Sequence, residues 1–338
     1  MTPDPLTPSK ISGVLYGAAY GDALAAPTEF MRDAAQIRSR FAPNGPTTLH
    51  RGRVTDDTQM MLAVGRALLD TPALTPQASE APLRREFVAW LHDPQNNRAP
   101  GLTCLKACRG LETGQRWQAA TVAQSKGCGA NMRVQPAAFI SDAVTRAAYA
   151  QFQAALTHGH PTGLAAADLT VQAIRLLLDG LSPALLPTAL REYAQAQREV
   201  DHTDWLGDLW TVYGAASPAA YIAQGWDECL GVLTRLERAL NTNIPADADP
   251  CDFTGEGWIA EEAVATGLLC FLLTPNDPQE ALRRAAVTSG DSDSLACLAG
   301  SFAGAHLGLD AFPAEWKGQI EYADELERQS RAFAEEKS

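Results

Sequence analysis

The sequence lacks a membrane-spanning segment and a secretory signal. Its longest apolar run, residues 263–273, is far shorter than the about 20 residues that a membrane helix needs, so it predicts a buried helix. The first ten residues, MTPDPLTPSK, contain no basic stretch followed by a continuous apolar run, which excludes a typical secretory signal. We therefore expect a cytoplasmic protein without a membrane partner.

Basic residues are scarce and never clustered. The chain has 27 Lys and Arg residues against 40 Asp and Glu residues, which gives a net charge of −13. A negative surface repels phosphate backbones, so we do not expect duplex nucleic acid as a partner. A small anionic ligand remains compatible with this charge, because backbone N–H groups, single arginines or metal ions can bind it. We expect the protein to be a monomer.

The cysteines are odd in number, and no two of them form a C-x-x-C pair. This pattern argues against a disulfide framework and against a zinc site. Cys104 and Cys108 lie four residues apart on a predicted helix, but no third or fourth ligand lies near them in the sequence. We predict that the cysteines pack in the core, as free cysteines usually do. The seven are Cys104, Cys108, Cys128, Cys229, Cys251, Cys270 and Cys297.

Alternating, strand-like runs are nearly absent, and apolar residues such as Ile11 and Leu15 recur at helical spacing instead. The sequence predicts an all-α protein with one compact domain over residues 10–330, and with frayed tails at 1–9 and 331–338. Beyond the first helices, we expect helical segments near 83–92, 101–112, 137–156, 164–180, 184–198, 218–240, 258–273, 278–287, 294–307 and 315–335.

Two predicted helices carry residues that are unusual on a buried face. Gly300 and Gly304 lie four residues apart, and since glycine costs about 1 kcal/mol against alanine in a helix, the pair favours close backbone packing in the core. Asp22 lies on the same helical stripe as Ile11 and Leu15. A carboxylate on an apolar face needs a hydrogen-bonding task, so we interpret Asp22 as a buried structural acid.

Two acidic segments precede or begin apolar helices: Thr55-Asp56-Asp57 and Asp291-Ser292-Asp293-Ser294. Either segment alone is compatible with ordinary helix capping, with Thr55 or Ser292 as the N-cap and Asp in the first turn. Together they bring four carboxylates that must be neutralised if they meet. Their ligand atoms are all oxygens, which favours Mg²⁺ or Mn²⁺ over zinc or copper.

Motifs along nearly the whole chain resemble those of the ADP-ribosylglycohydrolase family, which includes the dinitrogenase-reductase-activating glycohydrolases and the ADP-ribosyl-acceptor hydrolases. They occur in the family's order. The motifs are GAAYGDALAAPTEF at 17–30, TDDTQM at 55–60, RAPGLTCL at 98–105, GCGANMR at 127–133, THGHP at 157–161, GWIAEEA at 257–263 and SGDSDS at 289–294.

The resemblance implies an all-helical fold with a binuclear Mg²⁺ or Mn²⁺ site in a cleft for ADP-ribose. It implies that Glu29 and Asp57 are catalytic, with Glu29 close to the metals. The implied ligand-binding residues are Gly127, Gly129, Met132 and His158, where the glycines allow backbone N–H groups to approach a diphosphate. The implied metal ligands are Thr55, Asp56, Asp57, Asp291, Asp293 and Ser294.

Where many relatives have Asn, this chain has Cys128, and where many have Thr, it has Ser294. Arg133 follows the glycine motif and is compatible with a structural ion pair, and His160 is interpreted as a turn residue. The loop from Asp93 to Arg98 is not assigned a catalytic role.

The predicted function is therefore a metal-dependent hydrolase that releases ADP-ribose from an ADP-ribosylated protein or a related conjugate. A non-catalytic relative that binds ADP-ribose or serves a structural role is one alternative. A two-metal phosphohydrolase acting on a small nucleotide is another. The choice between Mg²⁺ and Mn²⁺ and the identity of the acceptor stay open at this point.

Overall fold

The computed structural model of the protein describes residues 7–49 and 51–335, which fold into α-helices joined by short loops and turns. No β-strand occurs in this part of the chain. Two isolated β-bridges join Val122 to His158 and Gly127 to Ile259. The predicted all-α, single-domain architecture is confirmed.

The helices cover most of the described residues, and four short 3-10 helices lie between them, at 128–130, 135–139, 183–185 and 309–311. The α-helices are α1 (Pro8–Ala25), α2 (Ala34–Arg40), α3 (Asp56–Leu69), α4 (Pro76–Leu91), α5 (Leu102–Glu112), α6 (Trp117–Ala120), α7 (Ala143–Ala155), α8 (Pro161–Leu178), α9 (Leu186–Gln197), α10 (Thr203–Leu206), α11 (Leu209–Tyr213), α12 (Pro218–Leu240), α13 (Cys251–Thr254), α14 (Ala260–Leu273), α15 (Pro278–Ala286), α16 (Ser292–Leu307), α17 (Trp316–Gln319) and α18 (Ala323–Glu335).

Several helices begin with a polar cap followed directly by proline. The side chains of Thr75, Ser217 and Asp277 each accept a backbone N–H three residues further on, at the starts of α4, α12 and α15. Proline suits the next position because its ring sets a helical φ and its missing N–H would have no partner there. Local sequence therefore determines where these helices begin.

Helices α1 and α16 pack backbone against backbone at the centre of the molecule. A Cβ atom added to Gly300 would lie 1.9 Å from the carbonyl oxygen of Gly17, and one added to Gly304 would lie 1.8 Å from that of Gly13. A Cβ added to Gly21 would lie 1.9 Å from the carbonyl oxygen of Ala296. The close packing predicted from Gly300 and Gly304 is confirmed, and its partner is the N-terminal helix.

Helix α14 contains the apolar run at 263–273, and its residues from Ala263 to Phe271 are buried, as predicted. No helix in residues 7–49 and 51–335 is both long enough and apolar enough to cross a membrane.

Two predicted helices are interrupted. The segment 137–156 is divided because Asp142 accepts the N–H of Thr145 and begins α7 afresh at residue 143. The segment 315–335 is divided between α17 and α18 because Ile320 is extended and Tyr322 has a φ of +59°. The chain turns away there so that Glu321 can bind Arg98.

The tail boundaries predicted from polarity also differ. Helix α1 begins at Pro8 and α18 continues to Glu335, so residues 8–9 and 331–335 are helical rather than frayed. Residues 1–6 and 336–338 lie outside the described residues. The predicted tails reached too far inward because polar residues can continue a helix whose apolar side is buried, as Phe333 is in α18.

We expect Gly300→Ala to destabilise the protein by about 2 kcal/mol or more, because the added methyl group would collide with the backbone of α1. Urea unfolding measures this change. Gly231→Ala is the matched control, since Gly231 lies on an exposed turn of α12 with nothing within 4 Å of the added Cβ. That control should gain up to about 1 kcal/mol from helix propensity. Equal effects of the two substitutions would contradict the packing argument.

Candidate metal centre

The first acidic segment lies where α3 begins, and Asp22 of α1 holds it in place. Thr55 is the N-cap of α3, and its hydroxyl oxygen accepts the N–H of Asp57 at 3.3 Å. The fully buried Asp22 carboxylate accepts the N–H of Thr55 at 2.9 and 3.0 Å and the N–H of Thr58 at 3.1 Å. Thr58 also donates its hydroxyl to Asp22 at 2.5 Å. These bonds confirm Asp22 as a structural acid, and they fix the direction of the segment.

The second acidic segment lies at the start of α16. Asp291 is the N-cap residue, and Asp293 and Ser294 lie in the first turn with buried side chains. The capping role considered for Ser292 is wrong, because its hydroxyl lies inside the helix start and 2.9 Å from the hydroxyl of Thr28. The packing of α1 against α16 brings this segment next to the first one.

Glu29 follows α1 and meets the second segment. One carboxylate oxygen each from Glu29, Asp291 and Asp293 lie within 4.8 Å of one another. The preceding residue, Thr28, is fully buried, and its hydroxyl donates to the carbonyl of Ala286 at 2.9 Å. The loop after α1 is thereby fixed to the end of α15, and Glu29 is directed at the carboxylates of α16.

The acidic cluster comprises Asp22, Glu29, Asp56, Asp57, Asp291 and Asp293, and burial raises the pKa of each of these carboxylates. Burial first, and the charge of Asp293 second, raise the pKa of Asp56 to about 8 and that of Asp22 to about 7. Burial, followed by Asp293 and Asp291, raises the pKa of Glu29 to about 10. Burial is also the largest cause that raises the pKa values of Asp57, Asp291 and Asp293. Ionisation of these carboxylates is therefore disfavoured unless positive charge neutralises them.

The acidic cluster suits hard divalent cations. None of its six carboxylates forms an ion pair within 4.0 Å with a basic side chain of the described ranges. Asp57 Oδ2 and Asp293 Oδ1 are buried without any hydrogen-bond partner. Unpartnered buried oxygens of this kind are costly unless a metal ion occupies them. The hydroxyls of Thr55 and Ser294 add further oxygen ligands.

The predicted glycine loop adjoins the cluster. The N–H of Cys128 donates to the carbonyl of Trp258 at 3.1 Å, which ties the loop to the segment before α14. A Cβ at Gly129 would lie 3.1 Å from Cε1 of His158, and one at Gly127 would lie 3.5 Å from Nε2 of the same ring. A side chain at Gly129 would therefore be tight against the ring, whereas a Cβ at Gly127 would make only an ordinary van der Waals contact with it.

His158 and Met132 lie beneath the loop and are not open to solvent. His158 is 1% exposed, and its Nδ1 lies 2.8 Å from the hydroxyl of Thr157. Burial lowers the pKa of His158 to about 3, so its ring is neutral. Met132 is 3% exposed, and its sulfur lies 4.0 Å from the Ser294 hydroxyl. Their predicted contacts with a ligand stay predictions.

Cys128 is a contact of the cluster that sequence reasoning missed. Its sulfur lies 2.7 Å from Asp291 Oδ2 and 3.7 Å from the Ser294 hydroxyl. The other six cysteines are buried, which confirms for them the prediction that the cysteines pack in the core. Arg133 is also fully buried, and it donates to Gln153 and Thr157 rather than forming an ion pair. The position of Cys128 inside the glycine motif was the available signal.

The loop at 93–101, which sequence reasoning left unassigned, supports the first acidic segment. The N–H of Gly101 donates to Asp56 Oδ2 at 3.4 Å. The guanidinium of Arg98 donates to the carbonyl of Val54 at 2.6 Å and to both carboxylate oxygens of Glu321 at 2.6 and 2.7 Å. This pair ties the loop to the residue directly before Thr55. The sequence does not indicate the pairing of Arg98 with Glu321, because the two residues lie far apart along the chain.

His160 is the N-cap of α8. Its backbone is extended, and its Nδ1 accepts the N–H of Thr162 at 3.2 Å, so its structural part is to begin this helix.

Residues 2–338 match the family described as ADP-ribosylglycohydrolase. The ADP-ribosylhydrolase ARH3 of Danio rerio is 25% identical, over 96% of this chain and 89% of its own length. The ADP-ribosyl-[dinitrogen reductase] glycohydrolase of Rhodospirillum rubrum is also 25% identical, over 96% of this chain and 94% of its own. A solved ADP-ribosylglycohydrolase-related protein complex shares the fold, with a TM-score of 0.66 and 22% identity over 97% of this chain and 98% of that one.

We expect the metal-free protein to lose stability, on the order of 1–3 kcal/mol, as the pH rises from about 5 to about 8. A carboxyl with a raised folded-state pKa stabilises the fold fully below its unfolded pKa of about 4 and loses that contribution as the pH rises through the folded pKa. The folded values are about 7 for Asp22 and about 8 for Asp56. Urea unfolding in EDTA at several pH values measures the slope.

Asp56→Asn removes one of these groups, so its stability should fall less steeply with pH than that of the wild type. Asp252→Asn is the control, since Asp252 is exposed and lies outside the acidic cluster, and it should keep the wild-type slope. A stability that stays constant or rises with pH would show that the buried carboxylates do not repel one another as described.

Proposed function

The chain belongs to the ADP-ribosylglycohydrolase family, and from this we propose that it is a metal-dependent hydrolase that releases ADP-ribose from a modified acceptor. The observation that carries the proposal is the convergence of buried carboxylates without a basic partner, two of whose oxygens have no hydrogen bond. Two relatives are an ADP-ribosylhydrolase and an ADP-ribosyl-[dinitrogen reductase] glycohydrolase, which supports this class of reaction.

Two divalent ions, Mg²⁺ or Mn²⁺, would be held by Thr55, Asp56 and Asp57 on α3 and by Asp291, Asp293 and Ser294 on α16. When bound, such ions supply positive charge that binds sugar hydroxyls and lowers the pKa of water. Two sets of contacts position these proposed metal ligands. Asp22 and Gly101 orient the α3 segment through backbone and side-chain hydrogen bonds. The packed N-terminus of α16 presents the second segment.

Glu29 is the proposed proton-transfer residue. It is half-buried, borders an open cavity, and lies beside Asp291 and Asp293. The raised pKa of Glu29 means that it holds a proton until positive charge enters the cluster, so the same charge that completes the site also prepares Glu29 as a base. Asp57 is proposed to act with it, because its Oδ2 is buried without a hydrogen-bond partner.

The proposed reaction cleaves the glycosidic bond that joins the anomeric carbon of the ribose to the acceptor. A transition state with oxocarbenium character would be stabilised by the surrounding carboxylates. The loop at Gly127 and Gly129 is proposed to receive the diphosphate through its backbone N–H groups. Met132 and His158 would support that loop and its ligand from below.

We expect Asp56→Ala and Asp293→Ala to lower the release of ADP-ribose from a modified protein by about 100-fold or more, because each removes a proposed metal ligand. The same variants should lose the increase in melting temperature that Mg²⁺ or Mn²⁺ gives the wild type. Product analysis by mass spectrometry distinguishes free ADP-ribose from free phosphate, which a phosphohydrolase would release.

Asp252→Ala is the control for these variants, since it removes an exposed carboxylate outside the cluster. Full activity together with unchanged metal stabilisation in both cluster variants would overturn the proposed metal role. Metal stabilisation without any release of ADP-ribose from the wild type would favour a non-catalytic binding protein instead.

Glu29→Gln separates proton transfer from metal binding. If Glu29 moves a proton, we expect kcat to fall by about 10²- to 10⁴-fold while the metal-induced rise in melting temperature persists. Glu256→Gln is the matched control, because Glu256 is an exposed carboxylate in a neighbouring loop, 3.7 Å from Arg32. Loss of metal stabilisation in Glu29→Gln would instead assign Glu29 as a metal ligand.

A further inference from the structure

A cavity of about 420 Å³ opens beside the acidic cluster. Its walls include Glu29, Phe30, Arg53, Thr55, Arg98 and Ala99. It therefore borders the proposed proton-transfer residue and a proposed metal ligand. Neither Gly127 nor Gly129 lines it, so it is a space separate from the one proposed to hold the diphosphate.

We propose that this cavity receives the acceptor, and that it favours a peptide linked to ADP-ribose through a hydroxyl oxygen with a carboxylate beside the linkage, over ADP-ribosyl-arginine. This inference rests on the proposed function and names its substrate class. The argument comes from the charges and hydrogen-bond donors on the cavity wall.

Arg53 supplies an available positive charge at the cavity. Its side chain is exposed, and its guanidinium donates to the neutral Asn97 Oδ1 at 3.2 Å. Within the described ranges it forms no ion pair within 4.0 Å. Glu321 lies within electrostatic range of Arg53, but both of its carboxylate oxygens bind Arg98. Arg53 is therefore the cation of this wall that can meet a charge brought by the acceptor.

Arg98 has a different part in the same wall. Its two terminal nitrogens are occupied by Glu321, Val54 and Gln95, so its charge is already neutralised. Its Nε–H is buried and has no acceptor. The side chain of Arg98 is only 5% exposed, and a buried donor without a partner is costly. This donor is enclosed by the protein, so Arg98 offers the acceptor neither a free charge nor an open hydrogen-bond donor.

The charges on the cavity wall disfavour an arginine acceptor. Among the residues named on the wall, Glu29 is the carboxylate, and the reaction itself is proposed to use it. A guanidinium brought close to Arg53 would be repelled, and it would compete for Glu29. The local positive charge is notable in a chain whose net charge is −13. The same net charge disfavours nucleic acid ends as acceptors, since they carry many negative charges.

Phe30 adds an apolar surface at the rim. It is 60% exposed, and its ring lies nearly parallel to that of Trp258, with centroids 6.5 Å apart. An exposed aromatic ring beside an open cavity is suited to packing against a peptide chain. The rim thus fits a peptide better than a bare small molecule.

The test uses three peptides that carry ADP-ribose on a serine and differ only at the next residue, which is Asp, Asn or Lys. A fourth peptide carries ADP-ribose on an arginine. With the full-length wild type and Mn²⁺, we expect kcat/KM to be about fivefold higher for the Asp peptide than for the Lys peptide. The arginine-linked peptide should be the poorest. The Asp-to-Lys ratio should shrink in high salt, because screening weakens an exposed charge pair.

Arg53→Glu should invert the preference so that the Lys peptide is cleaved faster, and Arg53→Lys should retain the wild-type order. Arg51→Glu is the matched control, since Arg51 is an exposed arginine two residues away that is not part of the cavity wall. Arg51→Glu should keep the wild-type ratio. Inversion in both charge-reversal variants would show a general field effect and overturn the assignment to Arg53.

The outcomes separate the two levels of the hypothesis. Equal rates for all three serine peptides, or faster cleavage of the arginine-linked peptide, would overturn the acceptor assignment while leaving the hydrolase intact. Cleavage of none of the four peptides, alongside cleavage of an ADP-ribosylated nucleic acid end, would also overturn it. Failure to release ADP-ribose from any substrate would overturn the proposed function itself.

Discussion

The contact between α1 and α16 is the constraint on which the rest of the site depends. Glycines at residues 13, 17, 300 and 304 let the two backbones approach so closely that no Cβ fits between them. This approach places Asp22 of α1 near Asp293 of α16, and Asp22 in turn holds the start of α3. One helix pair thus sets the positions of both acidic segments, and a shift of either helix would separate them.

The rigidity of that frame is balanced by repulsion within the cluster. Burial and neighbouring charges raise the pKa values of its carboxylates, so the fold holds together acids that disfavour their ionised forms. The surrounding apolar core and the hydrogen bonds to Asp22 stabilise this arrangement. A preformed site of this kind would bind the proposed cations without first having to reorganise, which suits electrostatic catalysis. The cost is a centre whose stability depends on proton or cation concentration.

Much of this arrangement was predictable from local patterns. Helical periodicity indicated the all-α fold, the spacing of Gly300 and Gly304 indicated close packing, and the position of Asp22 on an apolar stripe indicated a buried acid. These signals are short-range, so they can be read along the chain. They did not reveal which helix packs against the two glycines.

Features that depend on distant residues escaped prediction. Arg98 meets Glu321 only after the chain has folded, and the turn that this pair requires interrupts a segment that otherwise looks helical. Cys128 faces Asp291 because the glycine loop is tied to the segment before α14. Sequence patterns describe each residue's own element, whereas these contacts are decided by how the elements pack.

The assembly of the centre also has a consequence for its synthesis. Its two acidic segments lie near opposite ends of the chain, Asp56 and Asp57 early and Asp291 and Asp293 late. A ribosome must therefore produce most of the polypeptide before α16 can dock on α1. Until then the emerging chain carries four of the six carboxylates, Asp22, Glu29, Asp56 and Asp57, without the helix that brings in the other two. The proposed metal binding would thus be a property of the finished protein, and truncated products that lack α16 would not bind the ions in the same way.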